Sequence, residues 1–166
     1  HVDDLMAVGK IVWGLATDDR HVIGEDGPSA WIEVRAESND RETILEAMRR
    51  GLYYSTTGPK IHDLAFGDTK LNIKCSGAQR ITLSTLPWFS QIRDADSNGP
   101  ITEVSVTLSF LKSLGPWKDV EAFMQAQVEE GALTTPKDLK LHVRIEIDDG
   151  QGGWASTNPM PLPPTV

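Results

Sequence analysis

The chain has 166 residues, 39% hydrophobic and 24% charged, the composition of an ordinary globular domain. Its formal net charge of −8 argues against nucleic acid or an anionic membrane as partner, because both repel an acidic surface and counterion release needs Lys and Arg. No run approaches the ~18 apolar residues of a membrane span, and the single cysteine, Cys75, excludes an internal disulfide.

The first residue is His1 rather than Met, which reads as a processed, trimmed or fragmentary terminus and leaves localisation unassigned. Val2, Leu5 and Met6 share one helical face over residues 2–8, Asp3 and Asp4 suit a helix N-terminus, and Gly9 stops it. The apolar run Ile11-Val12-Trp13-Gly14-Leu15-Ala16 predicts a buried strand, followed by an acidic loop from Thr17 to Pro28. Trp31 to Ala36 alternates as a strand with Ile32 and Val34 inward.

The helix that follows has full punctuation. Asn39 is expected as N-cap, Glu42 completes a capping-box-like pair, and Asp40 complements the dipole. Ile44, Leu45 and Met48 form the apolar stripe, Arg49 and Arg50 load the last turn, and Gly51 stands at C′. Tyr53-Tyr54-Ser55-Thr56-Thr57 offers hydroxyls after this helix and is given no catalytic role.

From Lys60 onward the pattern has period two: Leu71/Ile73/Cys75, Ile81/Leu83, Val104/Val106/Leu108/Phe110 and Leu141/Val143/Ile145/Ile147. Gly67-Asp68, Ser76-Gly77, Asn98-Gly99-Pro100 and Asp149-Gly150 read as the turns between them. Short alternating strands of this kind predict an antiparallel sandwich. Pro116, Trp117, Val120, Met124 and Val128 have helical spacing, so a helix near residues 116–130 is expected as an insertion between two strands. The proline-rich tail from Asn158 can extend but cannot donate to a central ladder.

One short motif carries chemistry. Asp19-Arg20-His21 places a carboxylate and an imidazole two positions apart at the tip of the first expected strand, where both leave the same face. Such a pair suits Zn, Fe or Mn. By itself the triplet is a weak signal.

Read in order, the first 60 residues resemble the end of the PHP (polymerase and histidinol phosphatase) superfamily of metal-dependent phosphoesterases. The matching pieces are Gly14 to His21, Trp31 to Ala36, the helix Glu42 to Arg50, and Gly51 to Pro59. Val143 to Asp149 leading to Trp154 to Pro159 is similar to the closing strand pair of the β-rich extension that follows some bacterial PHP domains. The resemblance implies an α+β chain: the edge of a PHP-type β/α barrel over residues 1–59, then an immunoglobulin-like antiparallel β-sandwich over residues 60–166. It implies that Asp19 and His21 are metal ligands and that the reaction is phosphate-ester hydrolysis by a metal-bound hydroxide on a phosphorylated small molecule. The family's opening His-x-His motif and its middle His and Glu ligands are absent. The four histidines, His1, His21, His62 and His142, do not pair at short spacing. The implied object is therefore the C-terminal portion of such an enzyme, inactive alone, open to self-association or to a missing N-terminal segment.

Other features have plainer readings. Cys75 shares the Leu71/Ile73 face and reads as a small buried hydrophobe. Asp94 to Ile101 follows the first half of a calcium loop, but Ser105 stands where a bidentate Glu is wanted, so it reads as an acidic turn. His1 has the amine and imidazole of a copper chelator, with no further feature to support one. Trp88-Phe89, beside Pro87 in an expected loop, suggests a second function class: a non-catalytic sandwich module binding a glycan or a protein.

Overall fold

The structure, a computed structural model, describes residues 12–19, 29–86, 89–109 and 142–162. The expected helices at 2–8 and 116–130 lie outside these residues, as do His1, His21 and Trp88. Within them the chain is mostly antiparallel β-sheet with one short helix, as in a β-sandwich.

Strands β1 (Trp31–Val34), β2 (Tyr53–Thr56), β5 (Arg80–Leu86), β6 (Phe89–Asp94), β8 (His142–Asp148) and β9 (Trp154–Thr157) form the larger sheet in the order β1-β2-β9-β8-β5-β6. The short β10 (Met160–Pro161) also pairs with β8. Strands β3 (Ile61–Phe66), β4 (Lys70–Ala78) and β7 (Ile101–Thr107) form the smaller sheet in the order β3-β4-β7. The larger sheet crosses position 59: Thr56 of β2 pairs with Ala155 of β9.

The period-two pattern makes the core. Leu71, Ile73 and Cys75 of the smaller sheet are buried, as are Ile81, Leu83, Val143, Ile145, Ile147 and Ala155 of the larger. Each fully buried Leu, Ile or Val contributes about 1.5–3 kcal/mol, so this face sets which way every strand is turned.

Several strands depart from their expected bounds. Ser76-Gly77 is not a turn: β4 runs on to Ala78 through a register shift after Lys74. The shift brings Ala78, three residues beyond Cys75, into the same core. Only Gln79 separates β4 from β5, so the chain turns a corner from one sheet to the other. Strands β2, β3 and β6, unmarked in the sequence pattern, are all present. Ile32 and Val34 pair with Ser55 and Tyr53. They share the face on which Ser55 meets Gly14, whereas Tyr54 points to the other sheet, accepting from Ile61 N–H at 3.2 Å.

Helix α1 (Arg41–Arg49) ends as expected and begins one residue later. Gly51, at φ 70°, donates to Met48 O, and Leu52 donates to Ala47 O, a Schellman close. The N-cap is Asp40, not Asn39: its carboxylate accepts from Thr43 N–H at 3.0 Å and from the Thr43 hydroxyl at 2.7 Å. Asp40 also takes a hydrogen bond from the Ser38 hydroxyl, so it has more local donors than a capping box would supply.

Candidate functional site

The strand expected over Ile11–Ala16 is not formed in its described part: segment 12–19 makes no ladder. It is held instead by side chains. Gly14 N–H donates to Asn158 Oδ1 at 3.1 Å, and Ser55 Oγ donates to Gly14 O at 3.4 Å. The amide of Asn158 also donates to Gly51 O and Tyr53 O, both at 3.2 Å. One buried side chain thus joins the segment, the end of α1 and β2. Trp13 completes the seat: its indole N–H donates to Arg49 O at 3.2 Å. Its ring covers Gly51, where a Cβ would come within 2.8 Å of it. Glycine at 51 is required twice, by this approach and by its φ of 70°. Leu15 points the other way and is 57% exposed.

The segment ends on two aspartates with different surroundings. Asp18 Oδ1 accepts from Ser29 N–H, from Ser29 Oγ at 3.0 Å and from Ala30 N–H at 2.8 Å. It ties the end of the segment to the two residues that lead into β1. Asp19 is exposed and has φ 49°, a left-handed conformation that Asp tolerates better than most residues. His21 lies outside the described residues. Asp19 and His21 offer an oxygen and a nitrogen, the donor set that borderline divalent ions accept. Among the described residues, no group of three or more His, Cys, Asp or Glu is placed to hold a metal ion.

The remaining candidates resolve locally. Asp94 is paired with Arg80 at 2.7 Å, and both oxygens of Asp96 accept from Asn98, so the calcium-like stretch is a self-satisfied turn. Burial pushes the Cys75 thiol up from its ordinary range, away from the thiolate that a nucleophile or soft-metal ligand needs. His142 is buried at the start of β8, and His62 is exposed on β3. Phe89 begins β6 rather than lying in a loop.

A second feature had no signal in the sequence. A cleft of about 570 Å³ opens between β1–β2 and β3. Leu52, Tyr54, Leu64, Phe66 and Met160 give it apolar walls; Glu33, Arg35, His62 and Asp63 give it polar ones. Burial pushes the Tyr54 hydroxyl above its ordinary range, and the Glu33 carboxylate adds to this, while the bond from Ile61 N–H opposes it.

Residues 13–86 match a family model described as protein of unknown function (DUF3604). The matched stretch starts at Trp13, includes the seat on Gly51, the clasp at Asp18 and helix α1, and ends with β5. No curated protein and no solved structure matches the chain. Among the described residues, no helix is long and apolar enough to cross a membrane.

Proposed function

We propose that this chain is the C-terminal portion of a PHP-like metal-dependent phosphoesterase, in which Asp19 and His21 supply two ligands to a Zn, Mn or Fe site that donors outside this chain complete. The observation that carries the reading is the seat of segment 12–19. A buried amide, a serine hydroxyl and a tryptophan fix its backbone, and it delivers Asp19 to solvent in a left-handed conformation. β1 and β2 are antiparallel members of the larger sheet; on this reading the barrel edge is the segment before them and an immunoglobulin-like sandwich its support.

Bound divalent ions would supply Lewis acidity toward a phosphate ester. Asp19 and His21 would be the residues of this chain that hold the ion, the carboxylate offsetting its charge and the imidazole adding a nitrogen donor. Titration calorimetry with Zn²⁺ or Mn²⁺ tests this. Weak binding is expected in the 166-residue chain and is lost in Asp19→Asn and His21→Ala. Equal binding by all three proteins, or none at millimolar metal, sinks the reading. Hydrolysis of p-nitrophenyl phosphate by the chain alone is expected to stay at the level of His21→Ala.

The cleft favours a second reading, a non-catalytic module that binds a glycan or protein partner. Leu52 and Phe66 are among the exposed large hydrophobic residues, and both line it. On this reading, binding on a glycan array survives Asp19→Asn and is lost in the double variant Leu52→Ser, Phe66→Ser.

A further inference from the structure

Strands β9, β8, β5 and β6 lie side by side in the larger sheet, and their register fixes which side chains share a cross-strand row. Trp154 pairs with Asp148, Asp148 with Arg80, and Arg80 with Asp94. Ala155, Ile147 and Ile81, one residue on or back along the same strands, are in the core, so this row turns outward. Trp154 is 38% exposed, and the three charged side chains beside it are exposed as well. We propose that this row is a binding platform for a neutral oligosaccharide. The proposal does not rest on the metal-ligand reading, and the platform is separate from the cleft, which opens between the two sheets.

The chemistry along the row selects the ligand. Neighbouring strands lie about 4.8 Å apart, so the four side chains span roughly 14 Å, a length suited to a short oligosaccharide. The indole at one end offers a negative π-face, which attracts the C–H face of a sugar ring. Asp148, Arg80 and Asp94 then read acceptor, donor, acceptor, and hydroxyl groups, which both donate and accept, satisfy that order. Arg80 Nε donates to Asp94 at 2.7 Å, and Asp94, with a smaller push from Asp148, holds the guanidinium above its ordinary range. Two carboxylates against one guanidinium, on a chain of net charge −8, repel anionic glycans. The nearby acids are taken up by their own turns: Asp149 accepts from Gln151 N–H and Gly153 N–H, and Asp96 from Asn98. The row itself is held in place. Gly150 N–H donates to Asp148 Oδ1 at 2.7 Å, Gln79 N–H to Asp148 O at 2.8 Å, and Trp154 N–H to Thr57 Oγ1 at 2.8 Å. A platform fixed before the ligand arrives loses little entropy on binding.

Cellotriose, maltotriose, xylotriose and mannotriose, with trigalacturonic acid as the anionic control, are titrated into the 166-residue chain, and backbone amide shifts are followed by NMR. Shifts at Trp154, Asp148, Arg80 and Asp94 are expected with at least one neutral trisaccharide and not with the acid. Trp154→Ala and Arg80→Gln should each bind that trisaccharide about tenfold more weakly, the scale of truncating an aromatic or arginine anchor. Trp154→Phe, which keeps a ring, should recover most of the loss. Asp19→Asn and the double variant Leu52→Ser, Phe66→Ser should bind as the wild type does. Dispersed amide signals from β4 and β8 in each variant show that the fold is kept.

No shift with any neutral trisaccharide at millimolar concentration overturns the proposal, as does tighter binding of trigalacturonic acid. Shifts confined to Leu52, Tyr54 and Phe66 overturn it in favour of the cleft. Light scattering tests the remaining occupant: a dimer of the wild type that Trp154→Ala and Arg80→Gln both dissolve would make the row a contact between copies of this chain and not a glycan platform.

Discussion

Asn158 shows how much one side chain can organise. Its carbonyl oxygen takes Gly14 N–H and its amide reaches Gly51 O and Tyr53 O, partners more than a hundred residues away in the sequence. Asn158 is buried, so these groups have little water to fall back on. Asn158→Ala removes three hydrogen bonds and should cost about 3 kcal/mol, at roughly 1 kcal/mol each. Asn158→Asp should be worse although it is nearly isosteric, because it turns a carboxylate toward two carbonyl oxygens. Urea unfolding measures both. An Asp variant more stable than the Ala variant would show that the amide's donors are not what hold this junction. Trp13 gives a local readout, since its indole sits on the same junction and its emission should shift red in both variants.

At the scale of elements, the cap of α1 links stability to acid. Hydrogen bonds from the Ser38 hydroxyl, then from the Thr43 hydroxyl and N–H, hold the Asp40 carboxyl well below the usual carboxylate range. A depressed folded pKa gives stability that is present above the unfolded value and lost as pH falls through the folded one. The window therefore lies below about pH 4, the ordinary Asp value. Asp40→Ala should lower the melting temperature at neutral pH, and the gap to wild type should narrow as pH falls below 4. Asp40→Asn, itself a good cap, should melt near wild type at neutral pH and lack that acid dependence. Circular dichroism melts across pH 2–7 decide it, and a constant gap would remove the carboxylate from the explanation.

The same cap shows what the sequence makes legible. Capping and Schellman signals act over five or six residues, so α1 was readable to within one position. The strands of the core were readable wherever apolar residues kept strict alternation. β3 was hidden because its register shifts between Ile61 and Asp63, which puts Ile61, Leu64 and Phe66 in one row at spacings of three and two. β2 was hidden because Tyr53, Ser55 and Thr56 are all buried, leaving no polar face to alternate with. The run Ile11–Ala16 failed the other way. It is apolar enough for a strand, but β2 already has β1 on one side and β9 on the other, so residues 12–16 lie against the sheet without joining it. In the candidate site, the Asp-x-His pair was visible as a motif. The bond from Gly14 to Asn158 that seats segment 12–19 was not, because a hydrogen bond across 144 residues leaves no local pattern.

At the scale of the whole molecule, the ladder between β2 and β9 ties the two ends of the described chain together. Tyr54 packs against the core that the later strands build, Thr56 is fully buried, and Asn158 is saturated by residues of the first 60. A cut at 59/60 removes all of these partners at once. It leaves β9 with a bare edge at Ala155, Ser156 and Thr157, and bare edges recruit other chains. Residues 60–166 produced alone should therefore melt at a lower temperature than the 166-residue chain and should self-associate. Light scattering and a thermal melt at two concentrations measure both effects. Adding Lys at position 156, Ser156→Lys, should relieve the association without restoring the melt, because it blocks the edge and replaces none of the lost packing. A monomeric 60–166 fragment that melts like the full chain would mean the sandwich closes without β1 and β2, and the ladder to β9 would then be an attachment rather than part of the folding unit.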